Sequence, residues 1–392
     1  MTGNTSADNV VALILAGGRG SRLSPLTDTR PKPAVPLAGC YRLIDVALSN
    51  LAHSGLRNVW IVEQYRPGLL NRHLAGGRPW DLDGTRHGLR LMPPAQRDDD
   101  EEDGFSQGNG HALYQQLDAL REHGTDTVIV LSADHLYQLD LRPVLAQHRD
   151  RGSDLTVITT QIAEDASRYG VVRADSDGVI TDYSYKPDEP ATDIVATEVF
   201  IYQVDALADA IEELLDGPDD DGSDLGDYGE TIVPHLVDKG RVHEYRMDGY
   251  WRDVGTIDAY FQAHMELITG EGVDLDRPDW PLLTNITTCA PARIDATATV
   301  TESLICPGAR VAGEVTHSLI GPGVTIERGA TVNRSVLLGD ITVPAGAHLE
   351  SVVADHDVHI PATRIGQTKP GPGNITVLVN EDSTDQGDAL TP

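Results

Sequence analysis

The chain has 392 residues, 40% of them hydrophobic, with 38 glycines and 23 prolines. That composition suits two compact, turn-rich domains and excludes a coiled coil or a largely disordered chain. Only 30 basic residues stand against 61 acidic ones, and the net charge of −31 argues against a nucleic-acid partner while still allowing small anionic ligands in a basic cleft.

The opening segment, residues 1–9, is polar, lacks the basic region of a signal peptide, and is expected to be disordered. No later stretch nears the roughly 18 apolar residues of a membrane span, so no membrane partner is expected. Cys40, Cys289 and Cys306 have no metal-ligand spacing, which fits a reduced cytoplasmic protein.

From residue 10 onward, short β-rich runs alternate with helical patterns. VVALIL (10–15), NVWIV (58–62), TVIVLS (127–132) and DLTVITT (154–160) read as strands, and 112–123 reads as an amphipathic helix through Leu113, Leu117 and Leu120. Such alternation implies a doubly wound, mostly parallel α/β sheet over residues 10–268. The acidic runs at 98–103 and 216–227 read as solvated loops.

After a linker over 269–288 the periodicity changes. Ser303-Leu-Ile, Ser318-Leu-Ile, Ser335-Val-Leu and Ser351-Val-Val recur at spacings of 15, 17 and 16, and Ile320, Ile326, Val332 and Leu338 step by six. A six-residue step with Pro-Gly corners describes a triangular coil of short parallel strands, a β-helix over 289–366, followed by a tail over 367–392. His317, His356 and His359 lie in this part and raise the alternative of a β-helix acyltransferase, which a complete transferase site elsewhere outweighs.

The densest chemical signal directly follows the first strand. Leu15, Ala16, Gly17, Gly18, Arg19 and Gly20 lead into Ser21-Arg22, so that backbone N–H groups and two arginines can approach a phosphate. The loop is neither a dinucleotide fingerprint nor a Walker motif. Ten residues beyond Arg22 comes Pro31-Lys32-Pro33, where the prolines stiffen the chain around a lysine. Lysine is rare here: there are four against 26 arginines. One that persists is a candidate for specific chemistry, and Lys32 and Lys186 both sit beside prolines.

These stretches, with YRLIDVALSNLAHSG, LSADHLY, DYGETIVPHL and YWRDVGTIDAYF, resemble the sugar-1-phosphate nucleotidylyltransferases, and among them the ADP-glucose pyrophosphorylase family. The resemblance implies a Rossmann-like nucleotidyltransferase domain followed by a short left-handed β-helix that serves assembly, as a homodimer or homotetramer. It implies an enzyme that joins a nucleoside triphosphate to a sugar- or cyclitol-1-phosphate with Mg²⁺, the metal held by Asp134 and Asp253. Arg22 and Lys32 are implied to contact the nucleotide phosphates and Lys186 the sugar phosphate. Gln96 and Gly108 are implied on the nucleotide side, and Gly170, Tyr185, Glu198 and Asp227 around the sugar.

The sequence departs from the family pattern near the substrates. The Trp-Tyr-Arg-Gly-Thr-Ala-Asp-Ala loop is Phe105–Ala112 here, with Ser106 for Tyr and His111 for Asp, and one of the paired glutamines near Gln96 is missing. In the sugar pocket Glu-Lys-Pro has become Tyr185-Lys186-Pro187, and Ser-Met-Gly has become Ala196-Thr197-Glu198. Kept phosphate chemistry with exchanged sugar contacts points to an altered acceptor, such as valienol 1-phosphate taken with GTP or ATP. The alternatives are ADP-glucose synthesis for glycogen and, from another class, a non-catalytic regulatory subunit.

Overall fold

The computed structural model describes residues 9–17, 20–63, 67–92, 108–215, 217, 221–286 and 288–380. Strand Val10–Ala16 is apolar throughout and almost wholly buried, as a strand covered on both faces must be. It lies parallel between Val59–Glu63 and Thr127–Ser132 at the centre of a nine-stranded sheet. Alternate residues feed the two layers. Val10, Ala12 and Ile14 pack under helices Leu43–His53, Leu141–Arg151 and Ile257–Thr269, while Val11 and Leu13 pack under Val204–Leu214 and Ile232–Asp238.

The sheet is Rossmann-like but more mixed than the sequence pattern predicts. Strand Ile194–Gln203 runs antiparallel to Thr127–Ser132, Leu155–Gln161 and Gly170–Ala174. The hairpin of Gly170–Ala174 with Ile180–Tyr185 has already reversed the chain, so no crossover helix precedes the return. The predicted helix over 112–123 is two helices, Asn109–Tyr114 and Leu117–Glu122. The first is docked by its Gly110 N–H, which donates to Gly226 O at 2.9 Å, while Leu117 and Leu120 of the second are held in the core. Among the described residues no helix is long and apolar enough to cross a membrane.

Three purely parallel sheets form the left-handed β-helix: one from Arg293–Ile294 to Thr342–Val343, one from Thr299–Thr301 to Arg364–Gly366, and one from Leu304–Ile305 to Thr376–Leu378. The recurring serines form a ladder. Ser303 Oγ accepts from Ser318 N at 3.1 Å, and Ser318 Oγ accepts from Ser335 N at 3.0 Å. One predicted equivalence is out by a residue: Val336 pairs with Val353, so Val352, not Ser351, follows Ser335 in the ladder. Ser351 instead takes the left-handed corner (φ 55°) that Glu302, His317 and Arg334 occupy in earlier coils.

The β-helix is packed on the first domain. Leu319, Val336, Leu338 and Val353 share one apolar cluster with Val35, Leu37 and Tyr260. Arg30 forms a bidentate ion pair with Asp355, both bonds 2.8 Å. This joins the segment that carries Lys32 to the β-helix by both apolar burial and a paired charge.

Candidate active site

In open α/β sheets ligands bind beyond the carboxyl ends of the parallel strands. Here those ends are Ala16, with the glycine loop, and Ser132, which leads to Asp134. Leu15 is half-buried at the strand end, and Gly17 opens the loop; Gly18, Arg19 and Gln96 lie outside the described residues. Gly20 has φ 64°, and a Cβ there would stand 3.0 Å from Lys32 Cβ, so glycine lets the loop close over the lysine stem. Arg22 sits exposed on the turn Ser21–Leu23. Gly108, at φ 116°, abuts Gly226 O so closely that a Cβ would come within 2.2 Å, and it starts helix Asn109–Tyr114.

The two predicted metal carboxylates meet through a short two-stranded sheet in which Asp253 is paired with His135. Asp134, His135 and Asp253 bring ligand atoms within 4.8 Å of one another. His135 Nδ1 lies 2.8 Å from Thr197 O, and its Nε2 faces the carboxylates, 3.6 Å from Asp253 Oδ1 and 3.9 Å from Asp134 Oδ1. Two hard oxygens and one imidazole nitrogen are a donor set that fits a divalent cation. A Cβ on Gly255 would stand 3.0 Å from Asp253 Oδ2, so glycine there keeps the carboxylate uncrowded.

Lys32 Nζ forms an ion pair with Asp134 Oδ2, and Ser132 Oγ donates to Asp134 Oδ1. Burial would raise the Asp134 pKa, but the Lys32 ammonium, His135 and the two hydrogen bonds outweigh it and hold the carboxyl well below its usual range. Burial pulls His135 the other way, yet Asp134 and Asp253 leave its pKa raised. Cation and anion are thus paired inside the cluster.

Three of the residues predicted for the sugar come together. Tyr185 donates to Asp227 Oδ2, and Lys186 Nζ donates to the Tyr185 oxygen, lying 4.2 Å from the ring centroid. Asp227 Oδ1 also accepts from Gly229 N at 3.0 Å. Gly170 lies under Tyr183, whose hydroxyl leaves no room for a Cβ. Glu198 stands at a break in register between Ala196 and Phe200, with φ 58°. Lys186 has φ 46°. Two non-glycine residues in the left-handed region, each costing about 1 kcal/mol or more, mark a constrained pocket.

Tyr228 and His135 were not among the predicted site residues. Tyr228 donates to Glu198 Oε2 at 2.8 Å. Burial, with Asp227 nearby, raises the Glu198 pKa against the pull of His135 and Tyr228. The signals were adjacency: His135 follows Asp134 in SADH, and Tyr228 follows Asp227 in DYGE.

A glycine-rich turn, Arg22 and Lys32, and a cluster of Asp134, His135 and Asp253 at the carboxyl ends of a Rossmann-like sheet fit a nucleotidyltransferase. The nucleotidyl transferase family pattern matches residues 11–270, and a GlmU-like C-terminal hexapeptide pattern matches residues 289–370. The chain belongs to the nucleotidyl transferase family. It is 38% identical over 328 residues to a glucose-1-phosphate adenylyltransferase of Thermotoga neapolitana, covering 83% of this chain and 76% of that protein. Proteins of the same name from Thermomicrobium roseum (38%, covering 87% of this chain and 83% of that one) and Desulfitobacterium hafniense (34%, covering 92% and 90%) are similar over more of their length. The activity is therefore that of a sugar-1-phosphate nucleotidyltransferase.

Proposed function

We propose that the chain is a Mg²⁺-dependent nucleotidylyltransferase whose preferred acceptor is a cyclitol 1-phosphate or another hexose 1-phosphate, valienol 1-phosphate with GTP or ATP being the model pair. A phosphate oxygen of the acceptor attacks the α-phosphorus of the triphosphate, the bond to the β-phosphate oxygen breaks, and pyrophosphate leaves. The attacking oxygen is already anionic, so no general base is required. Catalysis then rests on neutralising and aligning two anions.

Asp134 and Asp253, with His135 beside them, would hold the metal, which supplies charge neutralisation at the phosphates. Lys32 and Arg22 serve the triphosphate, with Lys32 exchanging Asp134 for a phosphate oxygen on binding. Lys186 serves the acceptor phosphate. The backbone of Leu15, Ala16 and the glycine loop, with Gln96 and Gly108, receives the nucleotide.

The observation that carries the acceptor reading is the pair of hydrogen bonds Tyr185–Asp227 and Tyr228–Glu198. They line the wall proposed for the acceptor with two phenols and a carboxyl whose pKa burial raises, where the resembling family offers a glutamate and a bare glycine. The glucose-1-phosphate adenylyltransferase activity for which these relatives are named supports a second reading, in which the product is ADP-glucose. A pyrophosphate-release panel of NTPs against glucose, other hexose and cyclitol 1-phosphates separates the two. Best efficiency with ATP and glucose 1-phosphate contradicts the first; release with no pair leaves the non-catalytic regulatory subunit.

For assembly, the first coil of the β-helix leaves Ile294 56% exposed beside an open sheet edge, which supports a homodimer or homotetramer formed through that end. Sedimentation at micromolar concentration is expected to give a species larger than the 42.2 kDa chain, and a strict monomer contradicts this.

A further inference from the structure

The cysteines are far apart in sequence but draw together where the β-helix meets the catalytic domain. Cys40 ends the tight turn of the hairpin Pro36–Leu37/Tyr41–Arg42, and Cys306 begins the corner after Leu304–Ile305. Ala38 and Gly39 have φ of 47° and 75°, which folds the hairpin tip onto the β-helix. Cys306 Sγ lies 3.5 Å from Ala38 O, and a Cβ on Gly39 would stand 2.5 Å from that sulfur. Cys306 therefore packs against the turn that ends in Cys40, close enough for each thiol to shift the pKa of the other. Cys306 is only 6% exposed, Cys40 is partly open to solvent, and Cys289 is exposed.

Neither thiol belongs to the site described above, and packing alone has no need of two thiols at one domain boundary. Their environments differ in a useful way. Cys306, with help from the Arg42 cation, brings the Cys40 thiol down to about 7 against the effect of burial. Cys40 and burial push Cys306 up. Cys40, partly open to solvent, is the thiol that a peroxide reaches first, and Cys306 is its buried partner.

We propose that Cys40 and Cys306 are an oxidative modification site at which a peroxide forms a disulfide, fastening the Lys32-bearing segment to the β-helix. The Cys40 thiolate attacks one peroxide oxygen, the O–O bond breaks, and hydroxide leaves and is protonated to water, giving Cys40 sulfenic acid. The Cys306 sulfur then attacks the Cys40 sulfur, the S–O bond breaks, and a second water leaves with the Cys306 proton. Two thiols lose two electrons and one peroxide becomes two waters. The hairpin continues directly from the turn Lys32–Ala34, so the cross-link restrains the lysine loop relative to the β-helix. A dithiol reverses it through the more open Cys40 sulfur.

The test uses the full-length protein and hydrogen peroxide. Thiols counted with DTNB in denaturant should fall from three to one, return to three with dithiothreitol, and the peptide map should show Cys40 joined to Cys306. The oxidised protein should melt several degrees higher, because the link closes a very long loop. Cys289→Ser should still lose two thiols and Cys40→Ser should keep both remaining ones, whereas Cys306→Ala should form no disulfide and leave Cys40 as a dimedone-reactive sulfenic acid. A peptide map of oxidised wild type does not depend on any variant folding. Three surviving thiols, over-oxidised Cys40 beside a free Cys306, or a link through Cys289 would each overturn the proposal.

Discussion

Asp134→Asn and Asp253→Asn should each lower kcat by about a thousandfold or more, while circular dichroism remains that of the folded protein. Both carboxylates face the His135 Nε2 in one cluster, and asparagine keeps their shape while removing the charge that a divalent cation requires. A thousandfold loss corresponds to about 4 kcal/mol of transition-state stabilisation, the scale expected for losing a metal anchor among phosphates. The two variants should differ in stability. Asp134 is also the counter-ion of Lys32, whose side chain is only 12% exposed, so Asp134→Asn leaves a poorly solvated ammonium and should melt lower than Asp253→Asn. Turnover near wild type in either variant at saturating Mg²⁺ would remove that residue from the metal site.

The second large effect concerns the acceptor. Glucose 1-phosphate should be used at least about tenfold less efficiently than the best cyclitol or other hexose 1-phosphate, a difference of roughly 1.4 kcal/mol. A site built to pair particular hydroxyls rejects analogues because its own buried polar groups are otherwise left without partners. Tyr185 is engaged with Asp227 and Lys186, so it presents a ring face and one shared hydroxyl where a free carboxylate would accept two sugar hydroxyls. Glu198 is fixed by Tyr228 and by its own left-handed backbone. The double variant Tyr185→Glu with Glu198→Gly should shift preference toward glucose 1-phosphate, and glycine should relieve the strain at position 198. If the wild type already prefers glucose 1-phosphate, the two substitutions are neutral changes in an ADP-glucose enzyme.

Much of this site was legible because its residues carry their chemistry in local order. Glycine loop, Pro-Lys-Pro, SADH and WRDVGT each carry a charged residue, and their resemblance to the family's motifs, in the family's order, is what groups them into one site. What was not legible depends on pairing across distance. The antiparallel return of Ile194–Gln203 and the bulge that turns Glu198 inward follow from a neighbouring hairpin rather than from their own pattern. His135 reads as a packing residue until its strand pairs with Trp251–Asp253 and Thr197 O takes its Nδ1 proton. In the β-helix the ladder position after Ser335 lies 17 residues on, at Val352, as it did one coil earlier, and a serine spacing of 16 leaves Ser351 one residue short of it. The approach of Cys40 to Cys306 leaves no trace in sequence spacing.

The most direct measurement is ³¹P NMR of the purified protein with an NTP, a panel of hexose and cyclitol 1-phosphates, and Mg²⁺ either present or chelated. With Mg²⁺ the spectrum should gain the coupled pair of a new diphosphate diester together with pyrophosphate, and chelation should abolish both. Release of orthophosphate and NDP instead, or an unchanged spectrum with every pair, would contradict nucleotidyl transfer at the α-phosphorus by this site.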